Sequence, residues 1–241
     1  TSMPEWFEEW FGEEYLALYP HRDEEDASHL VSLLGRLIGW GAGWQVLDIC
    51  CGPGRHARAL DAAGLAVTGV DLSPTLLRKA RQVTDAPLVR ADIRALPIRP
   101  RAMDASLNLF TSFGYFDSDE EHAATLAGMV GTVRRGGWFV LDFLNADLVA
   151  SRIAEGAGTF EHGEGGSQLR RYRTTGGRYV VKEIVLADGR RFQERVRLFT
   201  PVDLMAMLTR AGASVRHCFG DYDGGPQQPT SPRALFVAEV A

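Results

Sequence analysis

The sequence predicts an α/β fold: a doubly wound, mostly parallel sheet of seven strands with an antiparallel last strand, an N-terminal helical cap and a small antiparallel β insertion. Three observations predict it. From Trp44 to Phe143 short apolar runs alternate with helical patterns, as right-handed crossovers onto a parallel sheet require. After Asn145 the rhythm becomes that of antiparallel strands joined by Gly-containing turns. Before residue 40 the pattern is helical and aromatic, and four of the five tryptophans precede residue 45.

Taken in order, Trp6, Phe7, Trp10, Phe11, Tyr15, Leu18 and Tyr19 recur at spacings of three and four, one face of a helix. Ser2 and Glu5 read as a capping box opening it, and Pro20 stops it. A second helix is expected from Asp23 to Ile38, with an acidic first turn, a leucine stripe and Gly39 at its end. Strands follow at 45–49, 66–70, 88–90, 105–110 and 138–143, with helices at 55–63, 74–83 and 120–133. Residues 168–174, 178–186 and 191–199 form three antiparallel strands. Thr200-Pro201 opens a helix ending at Gly212, and 215–219 and 234–240 are the last two strands. The expected organisation is a cap (1–40), a ligand-binding core (41–156), the β insertion (157–200) and the C-terminal part of the core (201–241).

Length and composition set bounds. The 241 residues are 45% hydrophobic and 24% charged, enough for one sizeable core and incompatible with disorder. A net charge of -5 argues against bulk nucleic-acid binding. Three cysteines, with Cys50 next to Cys51 and no C-x-x-C, make neither a disulfide framework nor a zinc knuckle. No apolar run reaches the roughly 20 residues of a membrane helix, and the acidic, aromatic start is unlike a secretory signal. The expectation is a cytoplasmic protein, monomer or homodimer, without nucleic-acid or membrane partners.

The chemistry concentrates in Val46-Leu47-Asp48-Ile49-Cys50-Cys51-Gly52-Pro53-Gly54-Arg55-His56. An apolar strand ends in an acid, Gly-x-Gly follows, and a helix begins. Glycines let backbone approach a ligand, and the helix N-terminus favours negative charge. Asp71 ends the second strand about 20 residues on, where an acid can accept both ribose hydroxyls. Asp92 follows the third strand, where a carboxylate can accept from an adenine amino group. Asp48 is placed to meet an ammonium. Single acids at such positions are often helix N-caps. Three of them in register with the glycines point instead to the carboxyl edge of an open sheet, where ligands bind.

On these residues the sequence resembles the class I S-adenosylmethionine-dependent methyltransferases, of the bacterial small-molecule type and with a Rossmann-like core. The resemblance covers roughly 40–150 well and the last two strands loosely. It implies S-adenosylmethionine as cofactor, with its methionine moiety at Asp48, Cys50, Gly52 and Gly54. It implies ribose at Asp71, adenine against Leu72, Asp92 and Ile93, and a Gly-Gly before strand five at Gly136-Gly137. Cys51 departs from the family, where many members have Gly. Arg55 and His56, on the first helical turn, are candidates for the cofactor carboxylate.

After strand four, Leu109–Phe116 would face the transferred methyl. Phe110 and Thr111 are assigned to the cofactor, and Ser112, Phe113 and Tyr115 to the acceptor. The absence of Asn-Pro-Pro-Tyr argues against a nucleic-acid base as acceptor. Tyr15, Tyr19 and Arg22 are acceptor candidates if the aromatic cap closes over the site; simple packing is the equal alternative. Arg195, in an insertion that also carries Arg170, Arg171, Arg173, Arg178, Arg190, Arg191 and Arg197, would hold an anionic acceptor group by its guanidinium fork. A solvated sheet face is the simpler reading of those arginines.

The expected reaction is in-line methyl transfer to a small-molecule acceptor, with no enzyme nucleophile. No metal is expected, since strand four ends without a carboxylate. Candidate bases are His21, His56, His122, His217, Tyr115 and Asp142, unranked. The alternatives are an NAD(P)-dependent oxidoreductase, since Gly52, Gly54 and Ala57 also fit the dinucleotide fingerprint, and a non-catalytic S-adenosylmethionine-binding protein.

Overall fold

A computed structural model describes residues 4–19, 24–155, 161–162 and 169–241. Its main sheet holds β1 (Gln45–Ile49), β2 (Ala66–Asp71), β3 (Leu88–Arg90), β4 (Met103–Asn108), β5 (Val133–Leu144), β10 (Ala213–Phe219) and β11 (Arg233–Val240) in the order β10-β11-β5-β4-β1-β2-β3. β1 pairs in parallel with β2 and β4, and β4 with β5, while β11 runs antiparallel between β5 and β10. The expected sheet is therefore present. The order reverses at β1 and β4, and the crevice this leaves at the carboxyl ends is where open α/β sheets take ligands.

Helices cover both faces, because the strands are apolar on both. α3 (Glu24–Ile38) and α4 (Arg55–Ala62) bury Leu30, Leu34, Ala57 and Leu60 against Val46, Leu107, Val140 and Val237. On the other face α6 (Asp119–Val130) and α8 (Pro201–Arg210) bury Leu126, Met129 and Leu204 against Leu47, Ile49, Leu141 and Phe236. Ser118 and Thr200 cap these two helices through their hydroxyls, Thr200 reciprocally with Asp203. α5 (Pro74–Ala80) starts at Ser73, whose hydroxyl accepts from the Leu76 N–H.

Several boundaries differ from expectation, each for a physical reason. The aromatic segment forms two helices, α1 (Trp6–Trp10) and α2 (Glu13–Leu18), broken where Gly12 adopts extended backbone. The capping box at its start is Glu5 with Glu8; Ser2 lies outside the described residues. β4 ends at Asn108, because Phe110 and Thr111 both turn left-handed, at φ of 56° and 57°. β5 begins five residues early and carries Gly136-Gly137 in a bulge; a Cβ on Gly137 would stand 2.6 Å from the Asp104 carbonyl oxygen. α7 (Ala146–Ala154), capped by Asn145, was not anticipated.

The insertion is a second antiparallel sheet, β6 (Glu161–His162), β7 (Leu169–Thr175), β8 (Tyr179–Val185) and β9 (Arg191–Arg197), in sequential order. It docks on the core through the Tyr179 hydroxyl, which donates to the carbonyls of Phe116 (3.0 Å) and Asp117 (3.1 Å), and through a fork from Arg197 to Asp119 (2.9 and 3.1 Å). No helix among the described residues is long and apolar enough to cross a membrane.

Candidate functional site

A cavity of about 440 Å³ lies between the carboxyl edge of the main sheet, α1 and α2, and the insertion. Its floor is the turn after β1. Cys50 takes a left-handed φ of 61°, and Gly52 follows at 54°. Nothing lies within 4 Å of where a Gly52 Cβ would be, so the turn needs glycine for its backbone conformation and leaves bare peptide facing the cavity. Gly54 is different: it caps α4 at φ 88°, and a Cβ there would stand 3.0 Å from Ala80 Cβ. It supports the turn from behind and does not line the cavity. Cys51 is accommodated by Gly69 on β2, since any side chain at Gly69 would come within 2.9 Å of the Cys51 sulfur.

The three acids differ sharply in environment. Asp71 accepts from the Gly52 N–H and the Ser73 N–H, both at 2.9 Å, tying the β1 turn to the end of β2. Burial nevertheless raises its carboxyl above the usual range. Asp48 is buried beneath the turn, and its Oδ2 has no hydrogen-bond partner. Burial first, then the neighbouring Asp71 charge, push its pKa up to about 7. Asp92 caps a short 3-10 turn and lines the cavity. Burial opposes its charge, but hydrogen bonds from Arg94 outweigh that and hold it below the carboxylate range. Arg94 also reaches Glu5 of the cap at 2.6 Å and Glu121 at 3.3 Å.

The strained segment after β4 forms a second wall. The Phe110 N–H donates to Asp142 Oδ2 at 2.9 Å and the Thr111 N–H to the Asp142 carbonyl at 2.9 Å. Asp142 is fully buried and also takes the Tyr222 hydroxyl (2.6 Å) and Arg233 Nε (2.9 Å). A carboxylate so occupied has no role as a base; it holds two left-handed residues in place. His56 lines the cavity as a neutral imidazole: burial, then the charges of Arg55 and Arg233, lower its pKa to about 3.

The remaining wall is aromatic. Trp6, Phe11, Tyr15 and Tyr19 face it from the cap, Tyr115 from the core and Tyr172 from β7. Ser73 pins the cap by donating to the Phe11 carbonyl at 2.6 Å. The insertion adds Lys182 and Glu194, 3.4 Å apart. Lys182 also meets the Tyr19 hydroxyl, and Glu194 accepts from Trp10 Nε1 at 2.7 Å.

Of the residues singled out in the sequence, Cys50, Gly52, Arg55, His56, Asp71, Leu72, Asp92, Ile93, Phe110, Thr111, Ser112, Tyr115, Tyr15 and Tyr19 line this one cavity. Two acceptor candidates lie elsewhere. Phe113 is fully buried in the core against Phe143, Phe199 and His122, because Gly114 turns the chain inward behind it. Arg195 pairs with Asp117 and covers the Tyr179 ring, so its fork fixes the insertion to the core. His122 is buried and accepts from the Phe116 N–H, and His217 stacks on Phe219 along β10, away from the cavity lining. Arg22 and His21 lie outside the described residues. Sequence reasoning missed Arg233, Tyr222, Lys182 and Glu194, which come from distant segments with no motif around them.

Comparison with known proteins shows what the chain is similar to. A family model described as a methyltransferase domain matches residues 46–137. The chain is 28% identical over 210 residues to dTDP-3-amino-3,4,6-trideoxy-alpha-D-glucopyranose N,N-dimethyltransferase of Streptomyces venezuelae, covering 82% of this chain and 83% of that one. The sugar N-methyltransferase KedS8 of Streptoalloteichus is 27% identical with a TM-score of 0.70, covering 95% and 93%. An S-adenosylmethionine-dependent methyltransferase of Clostridium acetobutylicum, 17% identical, shares the fold at a TM-score of 0.79 over 95% and 98%.

Proposed function

The chain belongs to the class I S-adenosylmethionine-dependent methyltransferases, with S-adenosylmethionine as its cofactor, and from that premise we propose that it methylates a small-molecule acceptor by direct in-line displacement, without a metal ion. The observation that carries this reading is a single cavity with an acid-and-glycine floor on one side and an aromatic enclosure on the other. The cofactor supplies a sulfonium-activated methyl group when bound. Asp71 would accept from its ribose hydroxyls, Leu72 and Ile93 would cover its adenine, and Asp92 would meet the adenine amino group. The unpartnered oxygen of buried Asp48 fits an ammonium. Phe110 and Thr111, held by Asp142, would border the sulfur.

Trp6, Phe11, Tyr115 and Tyr172 would hold the acceptor and exclude water, and their ring faces favour a cationic methyl donor. Alignment and desolvation carry the rate, so no residue needs to act as nucleophile. The acceptor's proton has Tyr15, Tyr19, Tyr115 and neutral His56 within the cavity. Among the described residues no three acidic, His or Cys side chains converge as a metal site would require. The similarity to sugar N-methyltransferases makes an amino sugar the first acceptor to try. Thermal shift should show stabilisation by S-adenosylhomocysteine and none by NADH. Methyl transfer to a dTDP-linked amino sugar, or to another small molecule in a screen, should persist in EDTA. Stabilisation by NADH alone, or transfer abolished by the chelator, overturns the proposal.

A further inference from the structure

One row of the insertion's inner face breaks an apolar pattern. Strand alternation turns Val180, Lys182 and Ile184 of β8 to one side, with Val196, Glu194 and Phe192 of β9 directly opposite them. The Val180–Val196 and Ile184–Phe192 rows are apolar. Between them Tyr172, Lys182 and Glu194 stand across from one another on three strands, and all three line the cavity.

Stability does not account for this row. The Lys182 and Glu194 side chains are 11% and 21% exposed, and replacing a largely buried ion pair by well-packed apolar residues is often neutral or stabilising. The pair is also loosely closed. Lys182 Nζ lies 3.4 Å from Glu194 Oε2, against about 2.8 Å for a tight ammonium–carboxylate bond. Nζ donates to the Tyr19 hydroxyl as well, and Glu194 Oε1 accepts from Trp10 Nε1 at 2.7 Å. An ammonium has three N–H donors, and a carboxylate has about four acceptor sites. Among the described residues these contacts use two of each, which leaves a donor beside acceptor sites on the cavity wall.

Such a gap suits one kind of group. A carboxylate or phosphate brought to Lys182 meets the Glu194 charge, and an ammonium brought to Glu194 meets the Lys182 charge. An alkyl group leaves both without a new hydrogen bond. A hydroxyl accepts from one and donates to the other. In a mainly apolar pocket, a few polar groups placed in this way set orientation and specificity.

We propose that Lys182 and Glu194 together select a neutral hydroxyl group on the acceptor and so orient it for methylation. This selectivity rests on the methyl-transfer reading above and adds to it the acceptor's chemistry away from the methylated atom.

The test is methyl transfer from S-adenosylmethionine to matched amines: cyclohexylamine, 4-aminocyclohexanol and 4-aminocyclohexanecarboxylate, and a dTDP-linked 3-amino sugar with and without its 4-hydroxyl. In the unaltered protein the hydroxylated member of each set should have a kcat/KM at least about tenfold above the others, as hydrogen bonds to charged groups predict. Glu194→Gln keeps the side chain's shape and an acceptor for Trp10 but leaves Lys182 uncompensated. It should cut the hydroxyl preference to below about threefold and bring the carboxylated amine level with the hydroxylated one or above it. A clasp that merely ties the cap to the insertion has no reason to change the rank order of acceptors. Equal use of the three forms by the unaltered protein, or preference for the plain or carboxylated one, overturns the selectivity even if Glu194→Gln fails to fold. So does an unchanged rank order in a folded Glu194→Gln. Turnover of plain amines keeps the methyltransferase reading standing when the selectivity falls. No turnover of any amine, in a protein that binds S-adenosylhomocysteine, removes the acceptor reading and the selectivity with it.

Discussion

The two halves of the cavity are built on opposite principles. The floor proposed for the cofactor comes from 48–92 and 109–112, two stretches that hold four strand ends and their turns, and it is polar, glycine-bearing and held by backbone hydrogen bonds. The enclosure proposed for the acceptor is gathered from α1, α2, β7, β8 and β9, segments as distant in the chain as those of Trp6 and Val196, and is mainly aromatic and aliphatic, with Lys182 and Glu194 as its paired charges. The first half places few groups rigidly for one fixed ligand. The second excludes water around a ligand whose chemistry is set by what those few polar groups accept. Such a division suits an enzyme that keeps its methyl donor and varies its acceptor.

Mutations should keep the two halves separable. The largest effect is expected for Asp71→Ala, which removes the proposed ribose acceptor and the tie to Gly52. S-adenosylhomocysteine affinity should fall about a hundredfold by calorimetry. The melting temperature should change little, because the substitution also deletes a buried carboxylate that raises the pKa of Asp48. A large loss of stability with unchanged affinity would reverse the division of labour.

Lys182→Met acts on the other half. It leaves Glu194 and Tyr19 without their ammonium partner in a largely buried site, so stability in urea should drop by about 2 kcal/mol. Cofactor affinity should stay within twofold, whereas KM for any accepted amine should rise. Adding Glu194→Leu should recover only part of the lost stability, since it removes a buried carboxylate left without its cation but also the acceptor of the Trp10 Nε1 hydrogen bond. Weakened S-adenosylhomocysteine binding in Lys182→Met would show that the halves are coupled through the cap.

The smallest effect is in pH. Asp48, with its pKa raised from 3.8 to about 7, binds a proton in the folded protein that the unfolded chain has already released between those values. Its contribution therefore favours the folded state as pH falls through 7 toward 4. His56, lowered from 6.5 to about 3, works the other way, because below 6.5 the unfolded chain takes up a proton that the folded protein refuses. The two offset each other, and Asp48→Asn should uncover the histidine slope, a loss of about 1.4 kcal/mol per pH unit below 6.5. If Asp48 must ionise to hold an ammonium, S-adenosylhomocysteine affinity should rise about tenfold from pH 6 to 8. A flat profile would remove Asp48 from the cofactor half.

How much of this was legible follows from the same contrast. The alternation of apolar runs and helical faces predicts the seven strands, and Asp48, Gly52, Asp71 and Asp92 are readable because each sits at a strand end with a fixed offset from the next. The cap's aromatic face is also readable, although Gly12 breaks it into two helices and only packing decides that Tyr19 meets Lys182. Phe113 could not be separated from its neighbours Ser112 and Tyr115, since the left-handed turns at Phe110, Thr111 and Gly114 reverse which side chains face inward.

By itself the sequence determined the sheet, its crossovers and the acids along its carboxyl edge, because these depend on periodicity and on distances of a few residues along the chain. The tertiary structure alone decided which arginines line the cavity and which only fasten the fold. Arg195 and Arg233 look alike in a sequence; one meets Asp117 on the surface and the other meets Asp142 and Thr111 beneath a cavity. The physical reason is that the worth of a charge depends on its burial and its partners, and both arise only when remote segments pack.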